Sequence, residues 1–578
     1  MSPWFPFRVA QVISLAFMLP AGLAISQEQE PILAESIEVR IMNVDVIVTD
    51  REGNRVQGLT SADFELLQDG DSQPITNFSE YRGRAATLAA MAVEPDPEKA
   101  AQLESQLVPA SPRKIILCMD RFALSRQHRD AWFDSIKAFV RESMRPGDEV
   151  MIATYDHSMK VPLHFTSDLK AVEKEIDRIA SVRGAEWRGR DELRDLEQAE
   201  KFFRMNPEAT EADVQAHMDT SRRQEAQVAR AKMRNRVAAV NSLIASVGGL
   251  EGRKIMLLAS ESFSRLAGME YFIPRGGTTD GPPTGAMEFN TSSIIERLIR
   301  TANSHGVTIY PLHPTGIFKP EASAEFESGT ASSRNYMILD NELSALSTIA
   351  NETGGLLAAG PLDVQRVLPQ IVEDLESYYS LGYRVEASNG RDRTRSINVR
   401  TKRPGLKVRV RKSVEEKSWD AQMEDYSLAN LFNLSERNNL GISVEKERVN
   451  ELTRGKKAIP LKIRIPISRL TALPQGDQHL GRFSVFIVAA DQSGDYSDVI
   501  RKSQPFSIPA AQLAKAQSSH FTYEISVNIR GTGDRISVGV MDEISRETGF
   551  ARVEIKAAPA PIAPPAFSQP TGRRRGFP

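Results

Sequence analysis

At 578 residues the chain is too long for one hydrophobic core, and ordinary domain sizes point to roughly three or four domains. Its 73 basic and 75 acidic residues leave a net charge of -2, which excludes a global attraction to nucleic acid or to an anionic membrane. A single cysteine, Cys118, excludes any intramolecular disulfide, so stability must come from packed cores.

Arg8 precedes an apolar run from Val9 to Ile25, and small residues at Gly22, Ala24 and Ser26 come just before the polar QEQE. Residues 1–26 therefore read as a signal peptide, which makes the chain exported: periplasmic, held at the cell envelope, or extracellular. An uncleaved N-terminal anchor is the alternative. No later segment is apolar enough to span a bilayer, so no integral membrane span is expected once the signal is removed.

Residues 36–82 read as a small N-terminal β module. Val44, Val46 and Val48 alternate on one face of the first strand, and two shorter strands surround a capping box from Thr60 to Asp63. Residues 83–112, rich in alanine and punctuated by proline, read as a linker.

An α/β domain follows over 113–385. RKIILCMD (113–120) places five consecutive apolar residues before Asp120, the pattern of a strand buried on both faces. Ligands of open α/β sheets bind at the carboxyl ends of strands, which makes Asp120 a candidate site residue; a solvated loop aspartate is the alternative. Cys118, inside that strand, reads as a small core hydrophobe. A helix through Ala131, Ile136, Phe139 and Val140 leads to EVMIATYD. Too few residues then separate this strand from KVPLHFT for a parallel crossover, so the two form an antiparallel hairpin with KVPLHFT at the sheet edge.

Residues 183–247 form a charged helical insertion with a cap at Thr210 to Asp213 and an apolar stripe through Val237, Val240, Leu243 and Ile244. Strands KIMLLAS (254–260), VTIYPLHP (307–314) and GLLAAG (355–360) follow, each after a helix. Long loops at 261–290 and 314–340 leave the sheet on the same edge as Asp120. His157, His164, His305 and His313 flank strands without ligand spacing and read as ordinary polar residues.

Residues 386–413 read as a β extension whose basic positions, Arg400, Lys402, Arg403, Lys407, Arg409, Arg411 and Lys412, form the solvated face of strands. A second linker near 413–425 precedes short, regularly spaced strands over 430–556 that suggest a β-sandwich. The Pro-rich tail, 557–578, reads as disordered. The fold class is thus multidomain: a central doubly wound sheet with an antiparallel edge strand, flanked by β modules at both ends.

The order βαβ, backward edge hairpin, then three further helix–strand pairs is the plan of a von Willebrand factor type A (VWA) domain, a Rossmann-like fold. Over 36–413 the chain resembles the secreted bacterial VWFA-related proteins. The resemblance rests on VDVIVTDREGNRVQGLTSADFELLQDGDSQPITNFSE before the α/β domain, and on NELSALSTIANETGGLL, LESYYSLGYRVEA and INVRTKRPGLKVRVRKS towards and beyond its end.

Adhesive VWA domains bind a divalent metal through a D-x-S-x-S loop, a threonine from a later loop and a second aspartate after the fourth strand. The resemblance thus implies a metal site at Asp120 and Glu261, for Mg or Ca. Phe122 and Leu124 stand where the two serines belong, VRGAEWRGR offers no threonine, and Ser260-Glu261 replaces the second aspartate. A hard cation wants six or more oxygens, so a degenerate site and no cofactor are the expectation. No H-E-x-x-H, G-x-S-x-G, C-x-x-C or Gly-rich phosphate turn occurs. The expected function is non-catalytic protein binding, with an envelope scaffold, metal-dependent adhesion or a hydrolase as alternatives.

Overall fold

A computed structural model describes residues 39–82, 112–120, 129–181, 210–273, 282–314, 329–386, 392–433, 437–451, 456–491, 496–530 and 533–555, with part of 198–208. The expected signal peptide, the linker at 83–111 and the tail beyond 555 lie outside the described residues. The chain divides into two compact bodies, one ending at Asn433 and the other starting at Leu434.

The first body begins with four strands: Val39–Thr49 (β1), Phe64–Gln68 (β2), Asp71–Gln73 (β3) and Ile75–Tyr81 (β4). The Thr60 to Asp63 capping box forms as its sequence predicts. The α/β domain then runs Lys114–Asp120 (β5), Arg129–Ser143 (α1), Glu149–Asp156 (β6), Ser158–Thr166 (β7) and Leu169–Ser181 (α2). It continues through Glu211–Gly248 (α3), Lys254–Ala259 (β8), Ser292–Ser304 (α4) and Val307–His313 (β9). Gly329–Thr353 (α5), Ala358–Ala359 (β10) and Pro361–Glu376 (α6) complete it.

The central sheet has the order β10-β9-β8-β5-β6-β7. Its strands are parallel except β7, which pairs antiparallel with β6 as the short connection requires. Strand order reverses between β5 and β8, so the crevice at their carboxyl ends is the topological switch point. Alternate residues of β5 fill two cores. Ile115, Leu117 and Met119 pack among α1, α2 and α6 with Trp132, Val172 and Ile371, whereas Ile116 and Cys118 pack among α3, α4 and α5 with Val240, Leu298 and Ile349. Each such fully buried aliphatic residue contributes about 1.5–3 kcal/mol. Helix α5 stops where Gly354 takes a φ of 82°, a left-handed conformation that glycine adopts without a Cβ clash.

After the α/β domain come Tyr378–Glu386 (β11), Arg393–Thr401 (β12), Lys407–Arg409 (β13), Ser413–Glu416 (β14) and the helix Trp419–Phe432 (α7). Here the structure corrects the modular reading. The N-terminal strands and the β extension are not separate pieces: they interleave in two four-stranded sheets, β13-β1-β11-β4 and β14-β12-β2-β3. β1 lies between β11 and β13, with Val39 opposite Glu386 and Val48 opposite Val408. Val44, Val46 and Val48 are buried against Phe64, Leu66, Tyr379, Leu381 and Tyr383. The reason is size, because the four N-terminal strands alone are too few residues to enclose a core.

Two further readings are corrected. The supposed linker near 413–425 holds β14 and the first half of α7, and α7 packs on α3. The basic strand positions are not uniformly solvated. Arg409 reaches the fully buried Asp374 of α6 at 2.6 and 2.8 Å, and burial holds the guanidinium of Arg411 below its ordinary pKa. Arg55 also pairs with Asp374, and the hydroxyl of Tyr310 donates to it at 3.0 Å. This buried carboxylate ties the sheet β13-β1-β11-β4 to the α/β domain within the first body.

The second body is a β-sandwich of Ser443–Lys446 (β15), Asn450–Glu451 (β16), Lys456–Pro466 (β17), Leu473–Gln475 (β18), Gln478–Asp491 (β19), Ile500–Pro509 (β20), a short helix Leu513–Gln517 (α8), His520–Arg530 (β21), Gly533–Asp542 (β22) and Thr548–Glu554 (β23). One sheet centres on β17, the other on β19 and β22. Ile459, Ile463, Phe483, Val485, Ile525 and Val538 are among the residues of the core between them.

Candidate functional site

Asp120 ends β5 at the switch point, where its sequence position places it, but it is not a solvated loop residue: it is 2 % exposed. Such a buried carboxylate demands a counter-charge, and α3 supplies it. Arg236 lies on the buried face of that helix, within the stripe that runs through Met233, Val237 and Val240. Its Nε donates to Asp120 Oδ2 at 2.6 Å, and its Nη1 donates to the carbonyl of Ser262 at 3.2 Å. The guanidinium also lies 5.6 Å from the ring centre of Tyr155 and 6.0 Å from that of Phe263. Ser260, just past the end of β8, donates its hydroxyl to the same Asp120 oxygen at 3.0 Å and accepts the N–H of Ser262 at 3.2 Å.

Glu261 stands at the same edge, half-buried. Its charge favours the protonated form of His313, which ends β9; burial pushes the other way and is the larger effect, so the His313 pKa falls below its ordinary value. His313 Nε2 lies 3.2 Å from Glu342 Oε2 on α5, and burial pushes the carboxyl of Glu342 up to about 8. The neighbouring Asn341 clamps Leu266 in both directions at 2.9 Å, accepting its N–H and donating to its carbonyl.

The described residues of the two expected long loops hold regular structure. Within 261–290, single turns at Met269–Tyr271 and Thr284–Phe289 pack Tyr271 and Phe289 on Ala226 of α3, and pack Met269 and Ala286 against Met337 and Ile338 of α5. The second half of 314–340 is the start of α5. Phe122, Leu124 and the VRGAEWRGR segment lie outside the described residues.

These residues do not fit a divalent cation. A hard ion needs six or more oxygens, yet Oδ2 of Asp120 already accepts from a guanidinium and a hydroxyl, and the arginine's own charge repels a metal. Among the described residues no group of three or more His, Cys, Asp or Glu side chains is placed to hold one. Arg236 is the residue of this candidate site that local sequence reading misses. One signal could have found it: it interrupts the apolar stripe three residues after Met233 and four before Val240, where a solvent-facing charge does not belong.

No protein-family model and no curated protein matches the chain. Solved structures similar to it include an aerotolerance-related membrane protein from Bacteroides fragilis, at 10% identity over 45% of this chain and 98% of that one, with a TM-score of 0.21. BatB from Bacteroides thetaiotaomicron is 9% identical over 46% of this chain and 98% of its own, with a TM-score of 0.21. A von Willebrand factor type A protein from Catenulispora acidiphila is 10% identical over 77% of this chain and 66% of its own, with a TM-score of 0.20. Likenesses this distant carry no argument about activity. The VWA-type architecture rests on the strand order of the central sheet itself.

Proposed function

We propose that this chain is an exported, non-catalytic protein-binding protein, periplasmic, envelope-associated or extracellular, whose VWA-type domain engages its protein partner without a bound metal. One observation carries the reading: the carboxylate at the switch point is satisfied from within by Arg236, so the positive charge that a divalent ion would supply is built into α3. The fold offers a rigid sheet edge with ordered segments over it, a setting in which contact surfaces are usually built. Its net charge gives nucleic acid no purchase.

Calorimetric titration of Mg²⁺, Mn²⁺ and Ca²⁺ into the full chain, with Asp120→Ala beside it, tests the metal-independent part. The expected result is no heat of binding up to millimolar metal in either protein. Micromolar binding that disappears in Asp120→Ala would overturn it. Fractionation of the native host, followed with an antibody to the chain, tests export; recovery in the cytoplasm would sink that part.

A further inference from the structure

Sheet edges invite pairing with other strands, and among the described residues nearly every edge is blunted. β3, β10, β13, β14, β16 and β18 span four residues or fewer. β4 meets a bulge opposite Gly382 and Tyr383, β7 carries Lys160 and Pro162 with two register shifts, and β20 contains Pro505 and ends on Pro509. β23 lies beside β15, where Lys446 donates to the carbonyl of Glu554 at 2.8 Å.

β21 is the exception. It is 11 residues long, has no proline or lysine, and pairs in unbroken register with β17 along one edge only among the described residues. The direction of its backbone groups follows from a single hydrogen bond. The N–H of Glu447, just beyond β15, donates to the carbonyl of Pro460 in β17 at 2.9 Å, so Pro460 turns its backbone towards β15. Backbone polar groups alternate between the two edges of a strand. Ser526 is the residue opposite Pro460, and its N–H and C=O therefore point away from β17. By the same alternation Thr522 and Glu524 face outward, while Tyr523 and Ile525 bond to Ile463 and Leu461.

We propose that β21 is a self-association edge, pairing antiparallel with β21 of a second copy about a two-fold axis at Ser526. Antiparallel pairing across a two-fold makes the contact isologous and closed, joining the two sandwiches through one continuous sheet. The strand is self-complementary in this register. Ile525 meets Val527 of the second copy on the core face, and Glu524 meets Asn528 of the second copy on the solvent face, so no like charges oppose each other. Centring on Glu524 instead would set two carboxylates together.

Sedimentation equilibrium of the full chain, Ser526→Pro and Ser526→Ala tests this. Proline removes an outward N–H and none that bonds to β17, whereas alanine keeps the backbone donor. The expected result is a reversible wild-type dimer, an unchanged Ser526→Ala dimer, and a dissociation constant raised at least about tenfold in Ser526→Pro. A wild-type monomer at every concentration, or a dimer insensitive to Ser526→Pro, overturns the proposal. Hydrogen–deuterium exchange of the wild type decides the matter even if the proline variant misfolds. Uptake in the 520–530 peptide must fall as protein concentration rises, and uptake independent of concentration overturns the proposal.

Discussion

Arg236 of α3 donates from Nε to Asp120 Oδ2 at 2.6 Å, across the crevice where the strand order of the central sheet reverses. Both residues are buried, at 8 % and 2 % exposure. Removing one partner of such a pair leaves an uncompensated charge, so Arg236→Ala is expected to cost about 3–5 kcal/mol. An Arg236→Met, Asp120→Asn double variant should recover most of that loss, because shape is kept and no net charge stays buried. Urea unfolding of the three proteins checks it; a double variant no better than the single one would mean that the pair is not the source of the loss.

Asp374 is the corresponding hub on the other side of the domain, with Arg409, Arg55 and Tyr310 on one carboxylate. Desolvation and the neighbouring Arg409 bring the pKa of Arg55 down to about 10, so Asp374 is what holds two cations together. Asp374→Asn should destabilise the first body by roughly 3 kcal/mol or more. Differential scanning calorimetry should show that loss in the transition of the first body, with the transition of the second body unmoved.

The His313–Glu342 contact predicts a pH dependence. Burial raises the folded-state pKa of Glu342 to about 8, so the folded chain holds this proton over a range where the unfolded chain has lost it. Its contribution is complete below the ordinary carboxylate pKa and disappears as pH rises through about 8. His313 is shifted down, which makes stability rise with pH only up to its ordinary value near 6.5. Between about pH 6.5 and 8 Glu342 therefore acts alone, and stability falls by up to about 1.4 kcal/mol per pH unit. Denaturant midpoints across that window should decline in the wild type and flatten in Glu342→Gln.

Because β1 lies between β11 and β13, deletion of residues 36–82 should not release an intact α/β domain. It strips the partners from Tyr379, Leu381 and Tyr383 and exposes the core between the sheets. The truncated chain should lose a cooperative transition and bind a hydrophobic dye. A truncation that melts like the full chain would refute this.

Cys118 is completely enclosed, and burial with Asp120 nearby pushes its thiol up to about 12. It should resist alkylation at pH 8 in the folded protein and react within minutes in denaturant, as mass spectrometry would report.

The amino-acid sequence by itself determined the elements whose signal is local. The run before Asp120 marks a doubly buried strand, the short gap after β6 forces a hairpin, and Thr60 and Thr210 cap their helices, all from neighbouring residues. What only the tertiary structure decided is pairing over long separations. Nothing near Val39 specifies Glu386 as its partner, nothing near Asp374 announces Arg55 and Arg409, and Arg236 in a charged helix gives no local sign of Asp120. The physical reason is that backbone propensity and apolar period act within a few residues. The demand of a buried charge or an open strand edge is met by whichever groups the finished fold brings within reach.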